Sequence, residues 1–247
     1  MEAYSLLVNS KKFIGNQPVS LSKKSFIKEH EYYLTKKLDG KRYIIFINDG
    51  YIYRINTKNT IEKIETKIKI SSQYSGIILD SEFYKGKYHV FDILFFKNKD
   101  IRNLNLNDRI PLLIEILDGI NSYKFVIKKH YKANKLCEFT KKFIEKHKKN
   151  FKDGILDGII LTPNVNYYGK IYKYKPIDLL SIDFKIKKVH GDTFLLLLQN
   201  NTIFSTKNNK NIGKVKVSKR SPKSAPKQHL TRACVWTKLI SNSWAYC

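Results

Sequence analysis

Lys37-Leu38-Asp39-Gly40-Lys41-Arg42 runs directly into Tyr43-Ile44-Ile45-Phe46-Ile47, then through Asn48-Asp49-Gly50 into Tyr51-Ile52-Tyr53-Arg54-Ile55. The β-branched and aromatic residues of 43–47 and 51–55 favour extended backbone, and Asn-Asp-Gly between them supplies the positive-φ positions of a tight turn. The stretch predicts a β-hairpin with a charged entrance, Tyr51, Tyr53 and Ile55 sharing one face. The same grammar recurs at 76–83, where Lys85-Gly86-Lys87 turns the chain into the apolar run 88–96. Consecutive hairpins build antiparallel sheet. Helical spacing appears at 107–117, with Ile110, Leu113, Ile114 and Leu117 on one face, Asn107 as cap and Pro111 in the first turn. A second helix is predicted at 136–149, Phe139, Phe143 and Ile144 facing inward and the lysines outward. Strands return at 155–161, 170–174, 182–189, 193–198, 202–204 and 214–217. The expected fold class is α+β, antiparallel sheets flanked by helices.

The chain has 247 residues, 42% hydrophobic and 13% aromatic, enough apolar matter to exclude a disordered basic tail. Its longest apolar runs fall far short of the ~20 residues of a bilayer-spanning helix. Glu2 and Asn9-Ser10-Lys11-Lys12 stand where a secretory signal would place a basic start and an apolar core, so a cytosolic protein is expected. Cys137, Cys234 and Cys247 are too scattered for a disulfide framework or a zinc site, and the six histidines show no metal spacing. With 47 Lys+Arg against 21 Asp+Glu, the net charge of +26 predicts polyanionic partners such as nucleic acid or nucleotides. Abundant Lys, Ile, Asn, Phe and Tyr also fit AT-rich coding, which contributes to that charge. From Ser218 onward composition changes: both tryptophans, two of the three cysteines, Pro222, Pro226 and three alanines crowd into 218–247 without periodicity. This segment is expected to be an atypical, disordered or foreign tail.

The charged entrance has companions in a fixed order. Asp80-Ser81-Glu82 lies in the second hairpin, Phe91-Asp92 on its return strand, Asp157-Gly158-Ile159-Ile160 opens a later strand, and Lys173-Tyr174-Lys175-Pro176 precedes Ser181-Ile182-Asp183-Phe184. Together these resemble motifs I, III, IIIa, IV and V of the covalent nucleotidyltransferases, the superfamily of mRNA capping guanylyltransferases and ATP-dependent DNA and RNA ligases. Upstream, Gly15-Asn16-Gln17-Pro18-Val19-Ser20 resembles a segment of the capping branch that helps form the guanine pocket, and Ser181-Ile182-Asp183-Phe184 also sits closer to that branch.

The resemblance implies roles residue by residue. Lys37 is the nucleophile. Gln17, Pro18, Val19, Asp39, Gly40, Arg42, Arg54, Phe91, Lys173 and Lys175 bind GTP, Phe91 as the base-stacking ring, and Glu82 and Asp157 hold Mg²⁺ or Mn²⁺. The chemistry of the residue types agrees. A lysine amine attacks only when unprotonated, which cationic neighbours such as Lys36, Lys41 and Arg42 promote, and Lys173 and Lys175, two apart on a strand, present two amines to one side for phosphate charge. Carboxylates are the oxygen donors a hard divalent cation takes.

The implied activity is GTP:RNA guanylyl transfer through a lysyl-GMP intermediate to the diphosphate 5′ end of RNA, in a viral or host-cytoplasmic setting, alongside triphosphatase and methyltransferase partners or domains and without a membrane. The competing readings are an ATP-dependent ligase with the same covalent chemistry and an inactive RNA-binding module. The implied organisation is a nucleotidyltransferase domain at 1–185, the start of an OB-fold-like segment at 186–217 and the atypical tail at 218–247. No Arg-x-Asp-Lys of the superfamily's motif VI follows residue 184.

Overall fold

The computed structural model describes residues 2–10, 12–21, 31–65, 70–133 and 136–176, and the backbone of four strands beyond them. The chain divides into two compact units, Met1–Tyr174 and Lys175–Cys247, so the division falls inside the Lys173-Tyr174-Lys175 element and ahead of the expected 185/186 boundary.

One sheet of the first unit is built from the two hairpins. It comprises β3 (Lys41–Asn48), β4 (Tyr51–Asn56), β5 (Ile61–Lys63), β6 (Ile77–Tyr84), β7 (Lys87–Phe96) and β8 (Lys99–Asp100) in the order β5-β4-β3-β6-β7-β8, with β9 (Phe125–Ile127) parallel beside β7. The turn between β3 and β4 has φ of 48° at Asp49 and 78° at Gly50, a double left-handed turn that only a Gly-containing pair adopts cheaply. Both faces of this sheet are buried, which is why residues 43–47 read as a continuous apolar run. Ile45, Ile47, Ile52 and Leu79 pack against Leu113, Ile116, Leu117 and Ile120 of α2 (Leu106–Ile120). Ile44, Phe46, Ile55 and Leu94 pack on the other face with Tyr4 and Val8 of α1 (Glu2–Val8) and with Tyr167.

Helix α2 differs in register from expectation. Asn105, not Asn107, is the cap residue, and the inward stripe is Leu106, Arg109, Leu113, Ile116, Leu117 and Ile120, which leaves Ile114 40% exposed. Pro111 is therefore inside the helix and not in its first turn. Arg109, 1% exposed, sits on an otherwise apolar stripe because Asp92 of β7 meets it through two bonds, Nε to Oδ1 at 2.8 Å and Nη2 to Oδ2 at 2.9 Å. A buried guanidinium is tolerable only when paired in this way.

The second sheet carries β1 (Val19–Ser20), β2 (Tyr32–Lys37), β10 (Tyr131–Ala133), β11 (Gly158–Pro163) and β12 (Tyr172–Tyr174) in the order β1-β12-β11-β2-β10. Its register sets Gly158 opposite Lys37 and Ile160 opposite Thr35. The helix expected over 136–149 is two helices, α3 (Leu136–Lys146) and α4 (Lys148–Lys152), and Phe143 of α3 is buried with its ring 5.3 Å from that of Tyr131.

In the second unit, β13 (Ile182–His190), β14 (Thr193–Leu197), β15 (Val215–Ser218) and β16 (Thr231–Val235) form an antiparallel sheet in the order β14-β13-β16-β15. Four of the five residues of β16, 232–235, thus pair on both sides within the stretch where no periodicity was legible. Residues 202–204, Trp236, Trp244 and Cys247 lie outside the described residues. No described helix is long and apolar enough to cross a membrane.

Candidate active site

Between the two sheets of the first unit lies a cavity of about 160 Å³. Alternation along β2 turns Thr35 and Lys37 toward it, β3 and β6 contribute Arg42 and Glu82, and β7 contributes Phe91 and Asp92. Gln17 and Pro18 close one side. Six of the sequence-predicted residues, Lys37, Arg42, Glu82, Phe91, Gln17 and Pro18, therefore share one chamber.

The Lys37 ammonium is paired with the Asp157 carboxylate, both side chains about one quarter exposed, and the Asp157 amide donates to the Lys37 carbonyl at 3.0 Å. Gly40 forms the turn after Lys37 because nothing larger fits: a Cβ there would stand 2.6 Å from Glu82 Cγ and 2.7 Å from the Phe83 carbonyl oxygen. Glu82 accepts the Gly40 amide on Oε1 at 3.1 Å and the Lys128 ammonium on Oε2 at 2.8 Å. Lys128 is 7% exposed, and its Nζ lies 5.3 Å from the centre of the Phe91 ring. Burial, with Lys37 and Arg42 nearby, pushes the Lys128 ammonium pKa below its ordinary value against the pull of Glu82.

Arg42 organises the opposite wall. Its Nε and Nη2 donate to the fully buried Asp80 at 2.9 and 2.5 Å, its Nη1 donates to the Asn16 carbonyl at 2.6 Å, and its guanidinium lies 5.4 Å from the Phe91 ring centre. Asp80 also accepts the Tyr167 hydroxyl at 2.6 Å. Burial, together with the Asp80 charge, holds the Tyr167 phenol well above its ordinary pKa, so it stays protonated and donates.

Other predicted residues are placed elsewhere. Val19 is 43% exposed on β1, Asp39 is exposed at the β2–β3 turn, and Lys173 is exposed on β12. Lys175 falls in the second unit. Arg54 is on the other face of its sheet: its register partner is Ile45 of the α2-facing core, and its guanidinium binds Glu62 and the Tyr88 hydroxyl. Strand alternation thus separates Arg54 from Arg42.

As metal ligands, Glu82 and Asp157 are the right oxygen donors, yet each carboxylate is engaged by a lysine, and among the described residues no group of three His, Cys, Asp or Glu converges. The donor set would leave most of a divalent ion's coordination shell to ligands from outside the protein and does not make a protein cage.

Lys128, His130 and Tyr167 carry no motif signal, and Asn16 stands at the variable position of the segment 15–20. His130 lines the cavity, and burial, with Lys128 next, lowers its pKa to about 4. A neutral, half-buried imidazole makes the unfolded chain the better proton binder between its folded value of about 4 and its ordinary 6.5. Its stabilisation is complete above about pH 6.5 and is lost as pH falls toward 4, a difference on the order of 3 kcal/mol. Denaturant titrations of wild type and His130→Phe should therefore diverge over that window, the variant losing less; parallel profiles would contradict the assignment.

Residues 2–177 match the family profile described as mRNA capping enzyme, catalytic domain. The chain is 27% identical over 213 residues to an mRNA-capping enzyme of Caenorhabditis elegans, covering 72% of this chain and 34% of that protein. It is 26% identical over 227 residues to a probable mRNA-capping enzyme of Acanthamoeba polyphaga mimivirus, covering 64% of this chain and 19% of that protein. The chain thus spans about a third or less of the length of these curated relatives. In fold it is similar to a solved Lig E DNA ligase, with a TM-score of 0.50 at 14% identity over 78% of this chain and 83% of that one.

Proposed function

Because the chain belongs to the mRNA capping enzyme catalytic-domain family, we propose that it is an mRNA guanylyltransferase whose nucleophile is Lys37. The observation that supports this most is the place of Lys37 in a chamber with an aromatic ring, Phe91, and two further cations, Arg42 and Lys128. In the reaction, Lys37 leaves Asp157, gives up its protons to water, and its Nζ attacks the α-phosphorus of GTP. A P–N bond forms as the P–O bond to pyrophosphate breaks. The 5′-diphosphate oxygen of RNA then attacks the same phosphorus, the P–N bond breaks, and the amine is restored.

Arg42 faces charge that grows on the phosphate oxygens, and a fixed cation in a partly closed chamber stabilises it without reorganising. Lys128 keeps N–H donors beyond the one given to Glu82, and such donors suit the O6 and N7 acceptors of guanine and oppose the N6 amino group of adenine. The family is metal-dependent. Mg²⁺ or Mn²⁺, held by Glu82 and Asp157 together with the substrate phosphates, would add positive charge where the pyrophosphate departs. Lys173 and Lys175 are assigned to phosphate contacts, as is Asp39 to the turn that presents Lys37.

The wider organisation follows from the same reading. A nucleotidyltransferase domain at 1–185 is followed by an OB-like segment from 186 and the atypical segment 218–247. The RNA acceptor is supplied by a triphosphatase and its cap is modified by a methyltransferase, in host cytoplasm or virion. Incubation with labelled GTP or ATP plus divalent metal, followed by a denaturing gel, is the test. GTP should label the chain and ATP should not; labelling by ATP alone would move the protein to the ligase branch, and no labelling with either would favour an inactive binding module.

A further inference from the structure

Segment 15–18 has no regular secondary structure, yet Gln17 and Pro18 form a wall of the cavity. What holds that wall is a set of bonds converging on Asn16. The Tyr167 hydroxyl accepts the Asn16 amide at 2.8 Å, and Arg42 donates to the Asn16 carbonyl at 2.6 Å. The Asn16 side-chain amide donates to the carbonyls of Tyr167 at 2.8 Å and Gly169 at 2.9 Å. Tyr167 is 3% exposed, and its proton goes to Asp80, which Arg42 already grips through two bonds. One phenol oxygen thus joins the wall to the Arg42–Asp80 ion pair.

We propose that Tyr167 is a positioning residue for nucleotide selection, its hydroxyl fixing segment 15–18 at the distance from Phe91 and Lys128 that admits the preferred base. The inference rests on the guanylyltransferase reading of the cavity. Removing the hydroxyl while keeping the ring leaves the Asn16 amide and one Asp80 oxygen without that partner. The wall then loosens, while Lys37 and its ion pair with Asp157 are untouched.

The test compares wild type, Tyr167→Phe, Asn16→Ala and the double variant, with Tyr168→Phe as a control on a neighbouring ring that is 60% exposed. Adduct kinetics, metal-free equilibrium binding of GTP and ATP, and thermal stability are read for each. Tyr167→Phe should raise the KM for GTP about tenfold, the usual scale for one buried hydrogen bond, with kcat within about twofold. ATP binding should change little, so the preference for GTP narrows. Asn16→Ala should behave alike, and the double variant should be no worse than the more severe single, because both act through one wall. A fall in kcat at constant KM, equal weakening of GTP and ATP, or additive effects would overturn the proposal. If Tyr167→Phe fails to fold, Asn16→Ala decides by the same criteria. Should wild type form no adduct with GTP, the reading of the activity fails on its own; selective loss of GTP binding in Tyr167→Phe would still uphold the wall, and unchanged binding would refute it.

Discussion

Lys37→Ala and Lys37→Arg should each reduce formation of the covalent enzyme–nucleotide adduct by at least about 1,000-fold, because the proposed bond-forming nitrogen is removed in one case and remains protonated in the other. Neither change should unfold the protein. The Lys37–Asp157 pair is partly exposed, at 26% and 25%, and pairs of that kind contribute at most about 1 kcal/mol. The combination is diagnostic: labelling falls to background while the thermal transition stays in place. Adduct surviving in Lys37→Ala would remove Lys37 from the role. Normal labelling in Lys37→Arg would show that the chain uses another nucleophile.

The largest effect on stability is expected at Arg109. Arg109→Ala strips the partner from Asp92, 5% exposed, and uncompensated buried charge costs about 3–5 kcal/mol. For a chain of this size the thermal midpoint should fall by roughly 6–20 °C. Arg109→Met combined with Asp92→Leu should regain much of the loss, since replacing both charges removes the desolvation cost along with the attraction. Thermal and denaturant unfolding of the two singles and the double closes the cycle. A loss below about 1 kcal/mol in Arg109→Ala would mean that water, not protein, solvates Asp92.

The hairpins around Asp49-Gly50 and Lys85-Gly86 were legible in the sequence because local turn chemistry and β-branched runs specify them without tertiary help. The motif residues that meet in the cavity were legible from their order along the chain. Register was not. Arg54 and Arg42 look alike in sequence, and only the pairing of Ile45 with Arg54 places Arg54 on the α2 face. Arg109 carried no signal in the sequence, since its partner Asp92 is 17 residues away. Lys128 could not be singled out in a chain with 47 Lys+Arg, because what distinguishes it is burial beside Glu82 and Phe91, a property of the assembled sheets. Tyr167 and Asn16 are likewise joined only by folding, 151 residues apart. Strand β16 showed no period because its place is set by β13 and β15 on either side.

The most direct measurement is peptide mapping of the adduct. Wild-type protein incubated with GTP and divalent metal is denatured and digested under conditions that preserve the P–N bond, and the modified peptide is sequenced by mass spectrometry. The predicted result is GMP on Lys37. GMP on any other lysine, or AMP on Lys37 from ATP with no reaction of GTP, would contradict the assignment of this cavity as a guanylyltransferase active site.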